Sequence, residues 1–181
     1  KKEGIRYNTF SFDSCFAKFY QPSKNEYIQK IREYMINAVY KRCSTTERPI
    51  ACLLSGGLDS SLIAALVNTF CKKNNLQQLE TYSIGIIGSE DLKYAKIVSD
   101  YLGTKHTQIE LTEQDFIDAI PNVIYDIESF DTTTVRASIG NWLIGKHISE
   151  NSDAKVIFNG DGSDELLSLI HISEPTRRST I

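Results

Sequence analysis

A glycine- and serine-rich turn, Ser55–Ser61, is the feature that most restricts how this chain can fold. It follows the apolar run Ile50–Leu54 and opens the helical pattern Leu62–Val67, so we predict a buried strand, a turn and a helix in that order. Glycine permits positive φ and close approach of a backbone to a ligand. Because the first N–H groups of a helix are unpaired and its N-terminus is positive, we expect this turn to bind a phosphate.

Side chains within the turn suit a phosphate that carries a metal ion. Asp59 offers carboxylate oxygens of the kind that Mg²⁺ prefers, and Ser55, Ser60 and Ser61 offer hydroxyl donors. The turn has neither the Gly-Lys-Ser/Thr of a P-loop nor the Gly-x-Gly-x-x-Gly of a dinucleotide-binding turn. It resembles the PP-loop of the ATP pyrophosphatases, which hold the β,γ-pyrophosphate and cut ATP between its α and β phosphates. The alternative is a turn that uses glycine and serine only for geometry and capping.

Strands and helices alternate along the rest of the chain. We predict strands at 50–54, 79–86, 106–111 and 155–158, and helices at 58–74, 90–102, after a Thr112 cap, and at 137–149. Pro121 is expected to kink or split the third of these helices. A further helix starts at a capping box formed by Ser23 and Glu26, and residues 7–20 read as strands or an extended lead-in. This alternation predicts a three-layer α/β/α fold with a parallel five-stranded sheet.

Composition excludes several classes of protein. The chain has 181 residues, enough for one domain with a proper core, and a net charge of −3, which does not favour nucleic acid. No apolar run is long enough to span a membrane. The four cysteines and three histidines show no zinc spacing, so we expect reduced thiols in a cytoplasmic protein, with Cys52 as a small core residue.

A second polar turn follows the last predicted strand. It reads Asn159-Gly160-Asp161-Gly162-Ser163-Asp164-Glu165, with three acids in five residues that repel one another unless a cation compensates. Taken alone it would be a solvated acidic turn. The carboxyl ends of parallel strands meet at one edge of a sheet, where ligands bind, so we expect this turn and Ser55–Ser61 to share a site for Mg²⁺ and ATP.

Several blocks in order resemble the synthetase domain of the glutamine-hydrolysing asparagine synthetases. They are 54–61, Tyr82-Ser83-Ile84-Gly85, 88–92, 127–138 with its Thr133-Thr134-Val135-Arg136-Ala137-Ser138, and 160–165. The resemblance implies that ATP adenylylates the side-chain carboxylate of aspartate, and that ammonia, normally taken from glutamine, attacks the β-aspartyl-AMP. It also implies small-molecule substrates only, with no nucleic acid and no membrane, and a homodimeric parent enzyme.

The resemblance further implies roles for matching residues. The nucleotide would be held by Leu54, Ser55, Gly56, Gly57, Asp59, Ser60, Ser61, Ile84, Asn159 and Gly160. Asp59 and Asp164 would ligate Mg²⁺, and Asp161 would act in adenylate formation and ammonia handling. Thr133, Thr134 and Arg136 would lie near the aspartate and the α-phosphate. For Arg136 the alternative is a surface residue at a helix start, paired with Glu128 or Asp131.

The chain departs from this family at both ends. Residues 1–22 read as the lead-in from an N-terminal glutaminase domain that the chain lacks, and 23–166 as the synthetase domain. Residues 167–181 resemble translated adapter sequence from DNA library preparation more than the family, so we expect a foreign tail on an inactive fragment. Two alternatives stay open: another adenylylating PP-loop amide ligase, such as a β-lactam synthetase-like enzyme, and a non-catalytic nucleotide-binding module. A tRNA-modifying enzyme is disfavoured by the charge.

Overall fold

The structure, a computed structural model, describes residues 23–163. The predictions for 1–22 and 164–181, Asp164 included, therefore lie outside the described residues. The chain divides into two units, 1–38 and 39–181. In the first, helix α1 (Lys24–Ser44) begins at the predicted capping box. The Ser23 amide donates to the Glu26 carboxylate at 2.7 Å, and the Glu26 amide donates to the Ser23 hydroxyl at 3.3 Å.

The second unit contains a parallel sheet. Its elements are β1 (Ile50–Leu53), α2 (Leu58–Lys73), β2 (Glu80–Ile86), α3 (Glu90–Leu102), β3 (Lys105–Leu111), α4 (Glu113–Ile127), α5 (Thr132–Asn151) and β4 (Val156–Phe158). The strand order is β3-β2-β1-β4, and every pairing is parallel. The predicted α/β class with a parallel sheet is confirmed. Within residues 23–163 the sheet has four strands, and the fifth that we predicted has no counterpart there.

Helices cover both faces of the sheet, as the pattern predicted. Successive strand residues point to opposite faces, so Cys52 packs with Val67 and Ala95 of α2 and α3. Its neighbour Ala51 packs with Ile144 of α5 on the other face. Helix α4 packs on α5 through an apolar cluster of its own, which contains Ala119, Val123, Val135 and Ile139.

The start of α5 and the course of α4 differ from the sequence prediction. Helix α5 begins at Thr132 rather than Ala137, because Asp131 caps it: its Oδ2 accepts from the Thr134 amide at 2.9 Å and from the Thr134 hydroxyl at 2.8 Å. The bond from the Thr134 amide also lowers the pKa of Asp131. Helix α4 continues through Pro121 without splitting. Its buried contacts with α5 favour one continuous helix, despite the hydrogen bond that proline cannot donate.

The described cysteines lie in the core, as predicted for Cys52. Cys43, Cys52 and Cys71 are free and buried, and Cys52 is fully inaccessible. Burial raises the pKa of the Cys43 thiol to about 11, with Cys71 adding to the shift. These thiols are therefore protonated and poor nucleophiles at neutral pH. Among residues 23–163, no helix combines the length and apolar character that a bilayer crossing needs.

Candidate functional site

The strand order creates a crevice between β1 and β4. The chain proceeds from β1 outward through β2 to β3, and then returns to place β4 on the other side of β1. Where the strand order reverses in an open parallel sheet, the connections diverge and leave room for a ligand beyond the carboxyl ends. Residues that follow β1 and β4 line one cavity of about 530 Å³ at that point. The two predicted polar turns therefore meet, as the sequence led us to expect.

The Ser60 side chain makes hydrogen bonds to other residues of the first turn. Its Oγ accepts from the Ser55 amide at 3.2 Å, lies 2.9 Å from the Ser55 Oγ, and donates to the Gly57 carbonyl at 3.3 Å. The Gly57 amide in turn donates to the Ser55 Oγ at 3.3 Å. Ser60 is buried whereas Ser55 is exposed, so Ser60 shapes the turn and Ser55 presents its hydroxyl to the cavity.

Two glycines are required because backbones approach closely around the turn. Gly56 has φ +82°, and a Cβ there would lie 2.5 Å from the backbone nitrogen of Ala95 on α3. A Cβ on Gly160 would lie 2.7 Å from the backbone nitrogen of Ser60. Gly160 thus holds the turn after β4 against the start of α2, while Gly56 packs on α3 and does not line the cavity.

The turn after β4 contributes the second carboxylate. Asp161 is exposed and lines the cavity, and its Oδ2 accepts from the side-chain Nδ2 of Asn159 at 2.8 Å. The Ser163 hydroxyl donates to the Gly160 carbonyl at 2.9 Å and closes the turn. Asp59, half-buried in the first turn of α2, lines the same cavity. Two carboxylates therefore face one space.

The other predicted site residues divide into two groups. Leu54, Ile84, Asn159 and Gly160 line the cavity with Ser55, Gly57, Asp59, Ser60 and Asp161. Ser61 does not: its Oγ is buried and has no hydrogen-bond partner in the described part of the chain. Thr133, Thr134 and Arg136 are exposed on the first turns of α5 and do not line the cavity either. No ion pair joins Arg136 to another described residue, so the alternative pairing with Glu128 or Asp131 is absent there.

Sequence reasoning did not assign several side chains of the cavity wall, among them Tyr82, Asn141 and Ile144. Tyr82 belongs to β2, and Asn141 and Ile144 belong to α5, one helical turn apart. Tyr82 lies two residues before Ile84, on the same face of β2, which was the available indication. For Asn141 only its spacing from an apolar helix face could have pointed to the site.

A half-buried histidine, His106, lies behind the cavity wall. Ser83 lines the cavity, and its Oγ lies 3.2 Å from His106 Nε2. His106 Nδ1 lies 2.9 Å from the Thr81 Oγ1 on the neighbouring strand. Burial lowers the pKa of His106, and Lys96 lowers it further, so the ring is neutral at pH 7. His106 therefore ties β2 to β3 directly below the cavity.

Comparison with known sequences assigns this site to a family. A sequence model of the family described as asparagine synthase matches residues 30–179. The chain belongs to the asparagine synthase family. The match includes both loops of the cavity and extends over most of 167–181, the segment that we expected to be foreign.

Individual members of the family are similar over most of this chain. Asparagine synthetase (glutamine-hydrolyzing) from Homo sapiens is 48% identical over 131 residues, which are 72% of this chain and 23% of that protein. The corresponding protein from Gallus gallus is 45% identical over 137 residues, 75% of this chain and 24% of that protein. The chain thus spans about a quarter of the length of these relatives.

Solved structures share the fold at lower identity. An NH3-dependent NAD synthetase from Campylobacter jejuni has a TM-score of 0.52 and 21% identity, covering 77% of this chain and 58% of that one. A U34-tRNA thiolase from Methanococcus maripaludis has a TM-score of 0.56 and 15% identity, covering 84% of this chain and 52% of that one. At these identities the similarity shows the α/β fold alone.

Proposed function

We propose that this chain is the ATP-binding part of an enzyme that converts aspartate to asparagine. The observation that carries the proposal is the cavity at the β1/β4 crevice, where Ser55, Asp59 and Asp161 face one space in a member of the asparagine synthase family. A phosphate-binding helix N-terminus and two carboxylates in one cavity suit chemistry at the phosphates of ATP.

The proposed reaction has two steps. The side-chain carboxylate of aspartate attacks the α-phosphate of ATP, which forms β-aspartyl-AMP and releases pyrophosphate. Ammonia then attacks the acyl carbon, which yields asparagine and releases AMP. A free carboxylate is a poor acyl donor because its oxygen is a poor leaving group. The adenylate supplies a good one, so the protein must mainly align the reactants and stabilise phosphate charge.

Different groups of cavity residues would contact different parts of the bound ATP. The N–H groups at the start of α2, with the Ser55 hydroxyl and Gly57, would hold the pyrophosphate. Leu54 and Ile84 would contact adenosine, next to Asn159 and Gly160. The remaining proposed pyrophosphate positions are Gly56, Ser60 and Ser61. Gly56 and Ser60 shape the turn in this structure. Asp161 is exposed in the cavity, where a carboxylate can take the proton that ammonia loses.

The first turn of α5 would face the reacting carboxylate. Arg136 precedes the cavity-lining Asn141 by five residues, which is about 7.5 Å along a helix axis. Arg136 is exposed and its side chain is long, which supports the proposal that it approaches the α-phosphate although it does not line the cavity in this structure. Thr133 and Thr134 lie one turn further out, and the Thr134 hydroxyl is already engaged by Asp131 at 2.8 Å.

The residues of the cavity fit a magnesium ion that arrives with ATP. Mg²⁺ in nucleotide sites is held by one or two carboxylates together with phosphates and water, and Asp59 and Asp161 supply carboxylates to one cavity. Asp59 would hold the ion, with Asp164 as its proposed second ligand outside the described residues. The ion would neutralise the charge of the departing pyrophosphate. We further propose ammonia from glutamine, a cytoplasmic location, a homodimeric parent enzyme and no nucleic-acid partner.

Two measurements test this proposal. Titration of the 181-residue chain with ATP and Mg²⁺ should show saturable binding. A control titration with Mg²⁺ alone should show none. In the full-length protein, pyrophosphate release should depend on aspartate and should be matched by AMP and asparagine in equal amounts. Release of ADP, or equal turnover with glutamate or a larger carboxylate in place of aspartate, would contradict the assigned reaction.

A further inference from the structure

The cavity has a polar end and an apolar wall. Ser55, Asp59 and the start of α2 form the polar end, where we placed the phosphates. The apolar wall consists of residues that line the cavity and also pack together on the α5 face of the sheet: Leu53, Tyr82, Ile84 and Ile144. A planar base is the part of a nucleotide that such a wall can cover, because burial of its faces removes apolar area from water.

Asn141 places one amide at the edge of this wall. Helix α5 lines the cavity with Asn141 and Ile144, and of the two only Asn141 is polar. Its side chain is exposed, and it has no hydrogen-bond partner among residues 23–163. Both the donor and the acceptor of the carboxamide are therefore available to a ligand.

The direction of α5 places Asn141 at the end of the apolar wall that is nearer the mouth of the cavity. The hydroxyl of Ser152, just after α5, donates to Glu80 at the start of β2 with 2.6 Å between the oxygens. The C-terminal end of α5 is thus at the amino edge of the sheet, and the helix runs toward it from the carboxyl edge. Asn141 lies one turn before the buried Ile144, which brings it nearer the mouth of the cavity.

From this geometry we propose that Asn141 reads the edge of the base and selects adenine over guanine. The inference rests on the proposed function, since it takes the ligand to be a nucleotide. An asparagine amide pairs with adenine in two hydrogen bonds, accepting from the amino group and donating to a ring nitrogen. Guanine presents two acceptors, O6 and N7, at the equivalent edge, so one of the two bonds is lost and the carboxamide oxygen faces an acceptor.

Three variants separate this role from packing. Asn141→Leu keeps the size of the side chain and removes both polar groups, so the Kd for ATP should rise about tenfold, the factor that corresponds to about 1.4 kcal/mol. The Kd for GTP should change less than about threefold, because there is little pairing to lose. Asn141→Lys offers only donors, which suit the O6 and N7 acceptors of guanine at this edge, so the ratio of the two Kd values should move toward GTP. Asn122→Leu, on the exposed side of α4, is the matched control and should change neither value.

The titration uses the 181-residue chain with ATP or GTP and Mg²⁺, and thermal melts verify that each variant is folded. A reduced ATP preference in Asn141→Leu together with a shift toward GTP in Asn141→Lys supports the inference. If the unchanged chain binds ATP but both variants keep its ATP-to-GTP ratio within twofold, the inference is wrong and the proposed function stands. If the unchanged, folded chain binds neither nucleotide, the proposed function fails and the inference fails with it.

Discussion

Gly160 lies so close to Ser60 that a Cβ on the glycine would be 2.7 Å from the serine backbone nitrogen. The two loops of the candidate site are therefore in direct backbone contact. Ser60 also holds the first loop closed through its bonds to Ser55 and Gly57. The geometry of the polar end of the cavity thus depends on the absence of a side chain in the other loop.

Gly160→Ala should separate the two loops. All three atoms nearest to that Cβ belong to the backbone of Asp59 and Ser60, so the backbone must shift, which costs about 1–3 kcal/mol of unfolding free energy. ATP affinity should fall as well. Chemical denaturation and ATP titration measure the two effects. Gly145→Ala is the control, because a Cβ there meets nothing within 4 Å and alanine stabilises a helix interior by about 0.5–1 kcal/mol.

Asp59→Asn should abolish the dependence of ATP binding on Mg²⁺. The change removes a charged metal ligand from the cavity and almost no volume, so the fold should persist and pyrophosphate release by the full-length protein should fall strongly. Asp91→Asn removes a carboxylate from the first turn of α3, a position equivalent in the helix but outside the cavity. Normal turnover of Asp59→Asn at saturating Mg²⁺ would rule out the metal role.

Asp161→Asn should lower kcat of the full-length protein more than it raises the Kd for ATP. The asparagine keeps an oxygen that can accept from the Asn159 amide, so the loop should be preserved while the proton acceptor is lost. Asp161→Glu should be the milder change because it retains the carboxylate. Steady-state kinetics and ATP titration provide the two constants. Loss of ATP affinity with an unchanged kcat would instead assign Asp161 to nucleotide binding.

Glu80→Gln should remove a pH-dependent part of the stability. Lys105, with 2.7 Å between Nζ and Oε1, and then the hydroxyls of Ser152 and Tyr82 lower the pKa of Glu80 from its ordinary 4.5 to about 2. A lowered carboxyl pKa means that the native state holds the charged form more favourably than the unfolded chain does. The resulting stability, on the order of 1 to 3 kcal/mol, is present above pH 4.5 and is lost as the pH falls toward 2.

The measurement is urea denaturation at several pH values between 7 and 2. The unchanged chain should lose stability steadily below pH 4.5, and Glu80→Gln should be less stable at pH 7 and show a shallower loss. Glu110→Gln, an exposed position on the neighbouring strand β3, is the control. Parallel pH profiles for Glu80→Gln and the unchanged chain would show that Glu80 contributes nothing through its charge.

Local sequence patterns predicted a structural feature correctly where that feature depends on neighbouring residues only. The Thr112 cap of α4 appears where it was predicted, because a cap depends on residues within a few positions, here on Asp115. The predicted start of α5 was wrong by five residues. Asp131 and the threonines after it are all candidate caps, and in the structure Asp131 caps the helix. Nothing in the local pattern indicated that Pro121 would be kept within a helix by packing on α5.

The sequence alone predicted an anion site at the first loop, since a glycine turn between a buried strand and a helix N-terminus is typical of such sites regardless of the rest of the fold. Only the tertiary structure decided that β4 pairs with β1, which brings Gly160 against Ser60 and joins both loops in one cavity. It also decided that α5 contributes Asn141 to that cavity while Arg136 lies outside it. Strand order and helix placement depend on burial between residues far apart in the chain, and local periodicity carries no information about such pairings.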